Sequence, residues 1–333
     1  MKIWLIKRLG LFLITAIGMS ILSFLVLRLV PGDPVQLLIG ERGAAPEIYA
    51  KLRQNLGLDR PLLEQYFLFV KNFLSGDLGI SIVSQRPVWQ EFMDRFPATL
   101  ELSAFSLLWS LPLGLCLGIL AAFKNGTWLD TSTMSISLVG YSMPIFWWGL
   151  ILIMIFSVRL GWTPVSGRIA LMYDPATVTG FYLIDTLISG EGFRSALVHL
   201  ILPAFVLGTI PLATVSRITR SSLIEVLGEE YIKALKARGF SSKYILFVHA
   251  LRNAFIPILT TIGVLVGSLL TGAILTETLF SWPGIGRWFV QSVTSRDYPV
   301  VQSGILLLGL MITFINLIVD SLYGVVNPRL RAR

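Results

Sequence analysis

The residue types that carry out enzyme chemistry are sparse in this sequence and form no catalytic pattern. Cys116 is the one cysteine, which excludes an internal disulfide and a zinc site built from several cysteines. His199 and His249 lie near the ends of apolar runs, and neither has the spacing of a metal site or a catalytic triad. The phosphate-binding pattern G-x-x-x-x-G-K-[ST] does not occur, so we expect no P-loop and no bound cofactor in this chain.

Charged residues and prolines within or beside the long apolar runs of the sequence are the remaining candidates for function. A charge at membrane depth is costly and usually functional. Glu277 lies near the end of one run and is the best candidate for the outer end of a path across the membrane. Tyr141 and Pro144 are candidate path residues as well. Pro144 lies inside a span, where a proline frees a backbone carbonyl. The alternative for the proline is static packing, and a charge near a span end such as Glu277 can lower its cost by snorkelling.

Residues 216–253 form a polar segment between two apolar runs and carry a helical pattern. Glu230 follows Glu229 at the start of a short amphipathic stretch, and basic residues follow at its end, which suits the helix dipole. Gly239 then suits the left-handed position that ends a helix, and Ser241 or Ser242 can cap a second helix. Three interpretations compete: a connector with an interfacial helix, a contact for anionic lipid, or a lever that docks into a cytoplasmic partner.

The elements that position these residues are membrane spans. Apolar residues make up 54% of the 333-residue chain and charged residues 14%, against about 25% charged in soluble proteins. Runs of about 20 apolar residues are long enough to cross a bilayer as helices. We therefore predict an all-α polytopic membrane protein with six transmembrane helices. The runs are Leu9–Leu29, Ala98–Phe123, Thr133–Val158, Leu200–Val215, Ala254–Leu279 and Gly304–Tyr323.

The positions of Lys and Arg orient these spans. If the N-terminus lies inside, the short segments on the inside carry more Lys and Arg than those on the outside. Both termini and residues 216–253 are therefore expected to be cytoplasmic. The predicted organisation is a tail with the first span, a periplasmic segment, a membrane core with the other five spans, and a second tail. Residues 41–76 of the periplasmic segment show helical amphipathic spacing, typical of a cap over the spans or of a docking surface for a soluble partner. The boundaries are 1–30, 31–97, 98–323 and 324–333.

Several stretches resemble the membrane subunits of bacterial ABC importers of the dipeptide, oligopeptide and nickel family. Glu230-Tyr231-Ile232 precedes Gly239, and His249-Ala250-Leu251-Arg252-Asn253-Ala254 follows it, as in that branch. The chain departs from the generic cytoplasmic motif, since Lys233, Leu235, His249 and Arg252 stand where Glu, Ala, Ile and Pro are usual. The other similar stretches are Val30–Pro34, Gly76–Ser81, Gly140–Gly149, Thr163–Arg168, Glu277–Gly284 and Asp297–Gln302.

The resemblance implies a type I ABC importer permease fold in the bacterial inner membrane, and a transport subunit rather than an enzyme. It implies a second homologous permease, two cytoplasmic ATPase subunits that hold ATP and Mg²⁺, and a periplasmic solute-binding protein, with no nucleic acid. Dipeptides are the expected cargo, with haem, glutathione, oligopeptides and nickel as alternatives. An ion-coupled secondary transporter is the alternative from another class. The residues expected to couple to the ATPase are Glu230, Ala234, Leu235, Ala237, Gly239, Phe240 and Leu251.

Overall fold

The computed structural model describes residues 2–29, 47, 49, 53–54 and 59–326. Within these residues the chain is helical, with an isolated bridge between Ile80 and Pro87 and no strand. The all-α prediction is therefore confirmed. The helices are α1 (Lys2–Leu29), α2 (Leu62–Leu74), α3 (Val88–Phe123), α4 (Trp128–Ser142), α5 (Ile145–Leu152), α6 (Tyr182–Ser189), α7 (Phe193–Gly228), α8 (Glu230–Ala237), α9 (Ser242–Tyr244), α10 (Leu251–Leu279), α11 (Ile285–Thr294) and α12 (Tyr298–Val326).

The polytopic prediction is confirmed, but the third span is not one straight helix. Five helices of the described residues are long and apolar enough to cross a membrane, and the pair α4 and α5 makes a sixth if it counts as one span. This pair, predicted as one run over Thr133–Val158, bends by 104°. Pro144 causes the break, since a proline disfavours helical backbone at the residue before it. Met143 is accordingly extended, at φ −81° and ψ 130°.

The fourth span also differs from its prediction. It was predicted as the shortest run, Leu200–Val215, and Pro203 and Pro211 within it made its limits the least secure. Instead α7 has 36 residues and contains both prolines. It continues to Gly228, so the first third of the predicted loop 216–253 is helix. Much of α7 is buried, and neighbouring helices in such a setting can satisfy the groups that a proline leaves unpaired.

Two stretches of π-helix were not predicted. Ile153–Arg159 continues α5, and Ile245–Ala250 joins α9 to α10 without a break. The second helix predicted after Gly239 is therefore continuous with the fifth span, and Pro257 lies inside α10. Short π-helical stretches are uncommon and occur frequently at functional sites.

The chain divides into two compact units. The first unit contains residues 1–96 and 287–317. Here Asp297 accepts hydrogen bonds from Ser81 Oγ at 2.5 Å and from the backbone N–H of Ile82 at 3.1 Å. The Trp288 indole N–H donates to Glu91 Oε2 at 2.7 Å. The stretches Gly76–Ser81 and Asp297–Gln302, far apart in sequence, therefore meet in this unit.

The second unit contains residues 97–286 and 318–333 and is built around α7 and α10. Gly114 and Gly118 of α3 lie directly against α7. A Cβ on Gly118 would stand 2.5 Å from the Ser216 carbonyl oxygen. The small-xxx-small spacing of the two glycines thus permits close helix packing within the chain.

The segment predicted to be periplasmic is described only in part. Its helix α2 falls within the predicted amphipathic stretch 41–76, and its Tyr66 and Phe69 pack on Phe24 of α1 with ring centroids 5.4 and 6.2 Å apart. Most of residues 41–58 lie outside the described residues, as do the stretch Val30–Pro34 and residues 327–333.

Candidate functional site

The short helix α8 matches the amphipathic helix predicted from sequence. Glu229 is its N-cap residue, and Glu230 lies in its first turn and Lys236 in its last. Both charges complement the helix dipole. Lys233 Nζ lies 2.7 Å from Glu230 Oε1, an exposed i,i+3 pair of the kind that contributes little to stability.

The chain reverses after α8 in a turn that requires glycine. Gly239 has φ +84°, and the prediction that it is left-handed is confirmed. Its N–H donates to the Lys236 carbonyl at 2.9 Å, and the Phe240 N–H donates to the Leu235 carbonyl at 3.3 Å. This pair of bonds is the Schellman motif, which satisfies carbonyls at a helix C-terminus. A Cβ at Gly239 would meet no atom within 4 Å, so the constraint there is the backbone angle and not crowding.

The segment after the turn begins with a side-chain cap and an aromatic stack. Ser241 Oγ accepts a hydrogen bond from the Tyr244 N–H at 3.3 Å, so Ser241 is the cap of the two serines predicted. The rings of Phe240 and Tyr244 stack with centroids 5.4 Å apart, and His249 packs edge-on against Tyr244. The stack closes the turn and leaves Phe240 42% exposed.

One face of α8 anchors it to the body of the second unit. Ile232 is completely buried in a cluster with Leu223, Ile245 and Ala254, which come from α7, the π-helical stretch and α10. Tyr231 and Asn253 add a polar link, since Asn253 Nδ2 donates to the Tyr231 hydroxyl at 2.7 Å. Ile232 could be found from its place on the apolar side of the predicted helix. The link between Tyr231 and Asn253 has no signal in the sequence.

The predicted coupling residues fall into two groups. Leu235 and Leu251 are half-buried and pack against the same internal cluster as Ile232. The remaining residues are exposed on α8 and in the turn after it. This exposed group is Glu230, Ala234, Ala237, Gly239 and Phe240.

Of the predicted path residues, Glu277 is enclosed in this structure. It is completely buried, and Thr99 Oγ1 donates to its Oε1 at 2.5 Å. The Ile285 N–H in turn donates to Thr99 Oγ1 at 2.9 Å. Gly284 lies so close to the Glu277 carboxylate that a Cβ there would collide with it. Glu277 therefore holds the loop after α10 in place in this conformation, and its role in a path stays a prediction.

Tyr141 and Pro144 lie together at the break between α4 and α5. Tyr141 is 47% exposed, and the Arg217 guanidinium lies 5.2 Å from the centre of its ring. Pro144 lines an open apolar depression of about 560 Å³. Of the three predicted path residues, Pro144 lines this depression, and Tyr141 and Glu277 are not among its lining residues. The depression is lined by Leu138, Val139, Ser142, Met143, Pro144, Phe146 and Trp147.

Two ion pairs in the second unit were not predicted from the sequence. Arg168 Nη2 lies 2.5 Å from Glu101 Oε2, and both side chains are almost fully buried. This pair ties residues 160–181, the loop between the first π-helical stretch and α6, to α3, and the Leu183 N–H of α6 also donates to Glu101, at 2.8 Å. Asp130 accepts two hydrogen bonds from Arg220, at 2.5 and 2.7 Å, which tie the start of α4 to the extension of α7.

Asp185 organises the loop before α6 and has a perturbed pKa. Its burial raises the pKa, but hydrogen bonds from the Thr179 hydroxyl and from the Thr179 and Gly180 amides outweigh burial and hold the pKa below its usual value. Asp185 is thus an ionised, satisfied carboxylate at the start of α6, a helix that the sequence did not predict.

Comparison with protein families shows which family the chain belongs to. Residues 114–332 match the family described as the inner membrane component of binding-protein-dependent transport systems, and residues 1–103 match the N-terminal membrane component of such systems. The chain belongs to this family. The predicted ABC importer permease and its multi-pass location in the inner membrane are therefore confirmed.

Curated relatives of this inner membrane component cover nearly the whole chain. The di/tripeptide transport system permease protein DppB of Pseudomonas aeruginosa is 54% identical over 98% of this chain and 97% of its own length. The dipeptide transport system permease protein DppB of Escherichia coli K12 is 52% identical over 98% of both chains. The glutathione transport system permease protein GsiC of Escherichia coli O6:H1 is 40% identical over 98% of both.

Proposed function

We propose that this chain is the membrane-spanning permease subunit of an ATP-driven ABC importer that moves dipeptides across the bacterial inner membrane. The observation that supports the cargo most is the 54% identity, over 98% of this chain, to a relative named for di- and tripeptide transport. Glutathione is the second candidate, because the relative named for glutathione transport is 40% identical over the same share of the chain.

The proposal assigns the chemistry to other subunits. This chain binds no cofactor and hydrolyses no ATP; two cytoplasmic ATPase subunits hold ATP and Mg²⁺. A second homologous permease completes the path, and a periplasmic solute-binding protein delivers the cargo. The absence of the P-loop pattern from the sequence supports this division, since ATP needs a phosphate-binding site on some chain of the complex.

Within the proposal, α8 is the element that docks into an ATPase subunit. Its exposed face carries the small residues Ala234 and Ala237, so a groove in the partner can approach the helix backbone. Phe240 offers an exposed apolar anchor at the end of the helix. The opposite face, through Ile232, is fixed to α7 and α10. A movement of α8 therefore passes directly to two spans.

Uptake by the reconstituted transporter tests the cargo and the energy source together. We expect vesicles that contain the complete transporter to accumulate a labelled dipeptide when the binding protein is outside and ATP with Mg²⁺ is on the ATPase side. Unlabelled dipeptides should compete, and dissipating ion gradients should have no effect.

Two outcomes would redirect the assignment. Accumulation of glutathione without any dipeptide uptake would move the cargo within the class. Uptake that persists without ATP and stops when the ion gradient is removed would indicate a secondary transporter.

A further inference from the structure

The helix α2 presents three chemically different sides. Tyr66 and Phe69 face α1, and Glu64 and Lys71 are exposed on a polar side. The third side is apolar and exposed: Leu63 is 73%, Phe67 68% and Leu74 79% accessible. These three residues follow the i, i+4, i+11 spacing that places side chains on one face of a helix.

The contact with α1 sets the depth of α2. The Tyr66 hydroxyl and Ser20 Oγ are 2.8 Å apart. Ser20 lies inside the apolar span Ile6–Val26, six residues before its outer end. At 1.5 Å rise per residue, that is about 9 Å below the end of the span if α1 runs along the bilayer normal.

The face of α1 around this contact is itself apolar and open. Ile14, Ile17 and Ile21 are 68%, 56% and 42% exposed on that helix. Both helices that meet at the Tyr66–Ser20 contact therefore carry exposed apolar side chains. At the other end of the contact, Arg28 donates to Gln65 Oε1 at 2.6 Å, which places a charged group beyond the end of the apolar span.

We propose that α2 is an interfacial helix embedded in the outer leaflet, with Leu63, Phe67 and Leu74 in contact with acyl chains. A helix with one apolar and one polar side typically lies in the interface plane with its apolar side about 5–10 Å deep. A soluble partner docked on this face would have to displace lipid at the depth that the Tyr66–Ser20 contact requires. The observations therefore favour lipid over a soluble protein as the occupant.

Site-directed spin labelling of the complete transporter tests this inference. The parent carries Cys116→Ala, which removes the one thiol of this chain. Single cysteines replace Leu63 and Phe67 on the apolar side, and Glu64 and Asn72 on the polar side serve as matched controls. The labelled transporter is reconstituted in vesicles of phosphatidylethanolamine and phosphatidylglycerol, and collision rates with oxygen and with a water-soluble nickel chelate are measured.

We expect oxygen collisions to dominate at positions 63 and 67, and nickel collisions to dominate at 64 and 72. All four positions are exposed, so the labels replace no buried side chain. Nickel-dominated collisions at 63 and 67 would overturn the inference. Protection of those positions that appears only after the soluble binding protein is added would also overturn it, and would indicate a protein docking surface.

Discussion

Gly239 is the residue at which a single added side chain has the clearest expected effect. Its φ of +84° is strained for any residue with a Cβ, and a β-branched residue is worst. Gly239→Val should therefore distort the turn after α8 while leaving the spans intact. We expect normal expression and insertion, loss of uptake, and weaker co-purification of the ATPase subunits.

Gly126 offers a matched control for this substitution. It also has a positive φ, +78°, and a Cβ added there would likewise meet no atom within 4 Å, but it lies between α3 and α4. Gly126→Val imposes the same kind of strain at another turn. Normal uptake by Gly239→Val at normal expression would refute a coupling role for this turn, and an equal loss in both variants would make the effect unspecific.

Asp185 makes a pH-dependent prediction. Because its pKa is lower in the folded protein than in an unfolded chain, its ionised form stabilises the fold. The contribution is complete above the ordinary pKa of about 3.9 and disappears as the pH falls through the lower folded value. Asp185→Asn should therefore lower the melting temperature of the purified protein at pH 7, and the difference from wild type should shrink below about pH 3.9. A difference that does not change with pH would contradict this explanation.

At the scale of elements, α8 is held to the body of the protein by Ile232 and by the Tyr231–Asn253 hydrogen bond. The bond is exposed, so its loss should cost only about 0.5–1.5 kcal/mol of stability. Its expected role is positional, because it links α8 to the first turn of α10. Tyr231→Phe should lower the amount of peptide transported per ATP hydrolysed while melting remains near wild type.

Two further variants complete this experiment. Tyr244→Phe is the matched control, since it keeps the aromatic ring that stacks on Phe240. Tyr231→Phe combined with Asn253→Ala should be no worse than the more severe single variant, because both remove the same interaction. Additive losses, or unchanged transport per ATP in Tyr231→Phe, would argue against a positioning role.

Ile232 gives a stronger test of the same attachment. It is completely buried, and truncation of a buried isoleucine to alanine typically costs about 2–5 kcal/mol. Ile232→Ala should expose α8 to limited proteolysis and reduce ATPase co-purification. Ala234→Ser on the exposed face should leave proteolysis unchanged. Equal proteolysis of Ile232→Ala and wild type would show that Ile232 is not the anchor.

Much of this element structure is predictable from local sequence. Charge placement, Gly239 and Ser241 predicted α8 and its turn, because caps and dipole complementarity are local interactions. The effect of proline on helix continuity differs between sites. Pro144 breaks a span, whereas Pro203 lies within an unbroken helix. This difference depends on neighbouring helices, which the sequence around each proline does not specify.

Pairs of distant residues could not be predicted for a related reason. Glu101 and Arg168 are separated by 67 positions, and Ser81 and Asp297 by 216. Each residue was visible as a charge or as part of a motif, but its partner is set by packing. Glu277 shows the consequence: its type and location suggested a path, whereas its surroundings enclose it under the loop after α10.

At the scale of the whole molecule, the chain is an inner membrane component in which the exposed helix α8 is joined through buried contacts to two spans. The central claim is that the exposed face of α8 seats in an ATPase subunit. Ala237 lies on that face and has a small side chain, so Ala237→Cys is a mild substitution that can report a contact. Ser221, exposed on α7, is a matched control for a cysteine outside the docking face.

The most direct measurement is cross-linking of Ala237→Cys, in the Cys116→Ala background, to the ATPase subunit in membranes that contain the complete transporter. We predict a cross-linked product of the two subunits with Ala237→Cys and none with Ser221→Cys, and a yield that changes when ATP is bound. Equal yields from both positions, or no product from Ala237→Cys in a transporter that still takes up dipeptide, would contradict the claim.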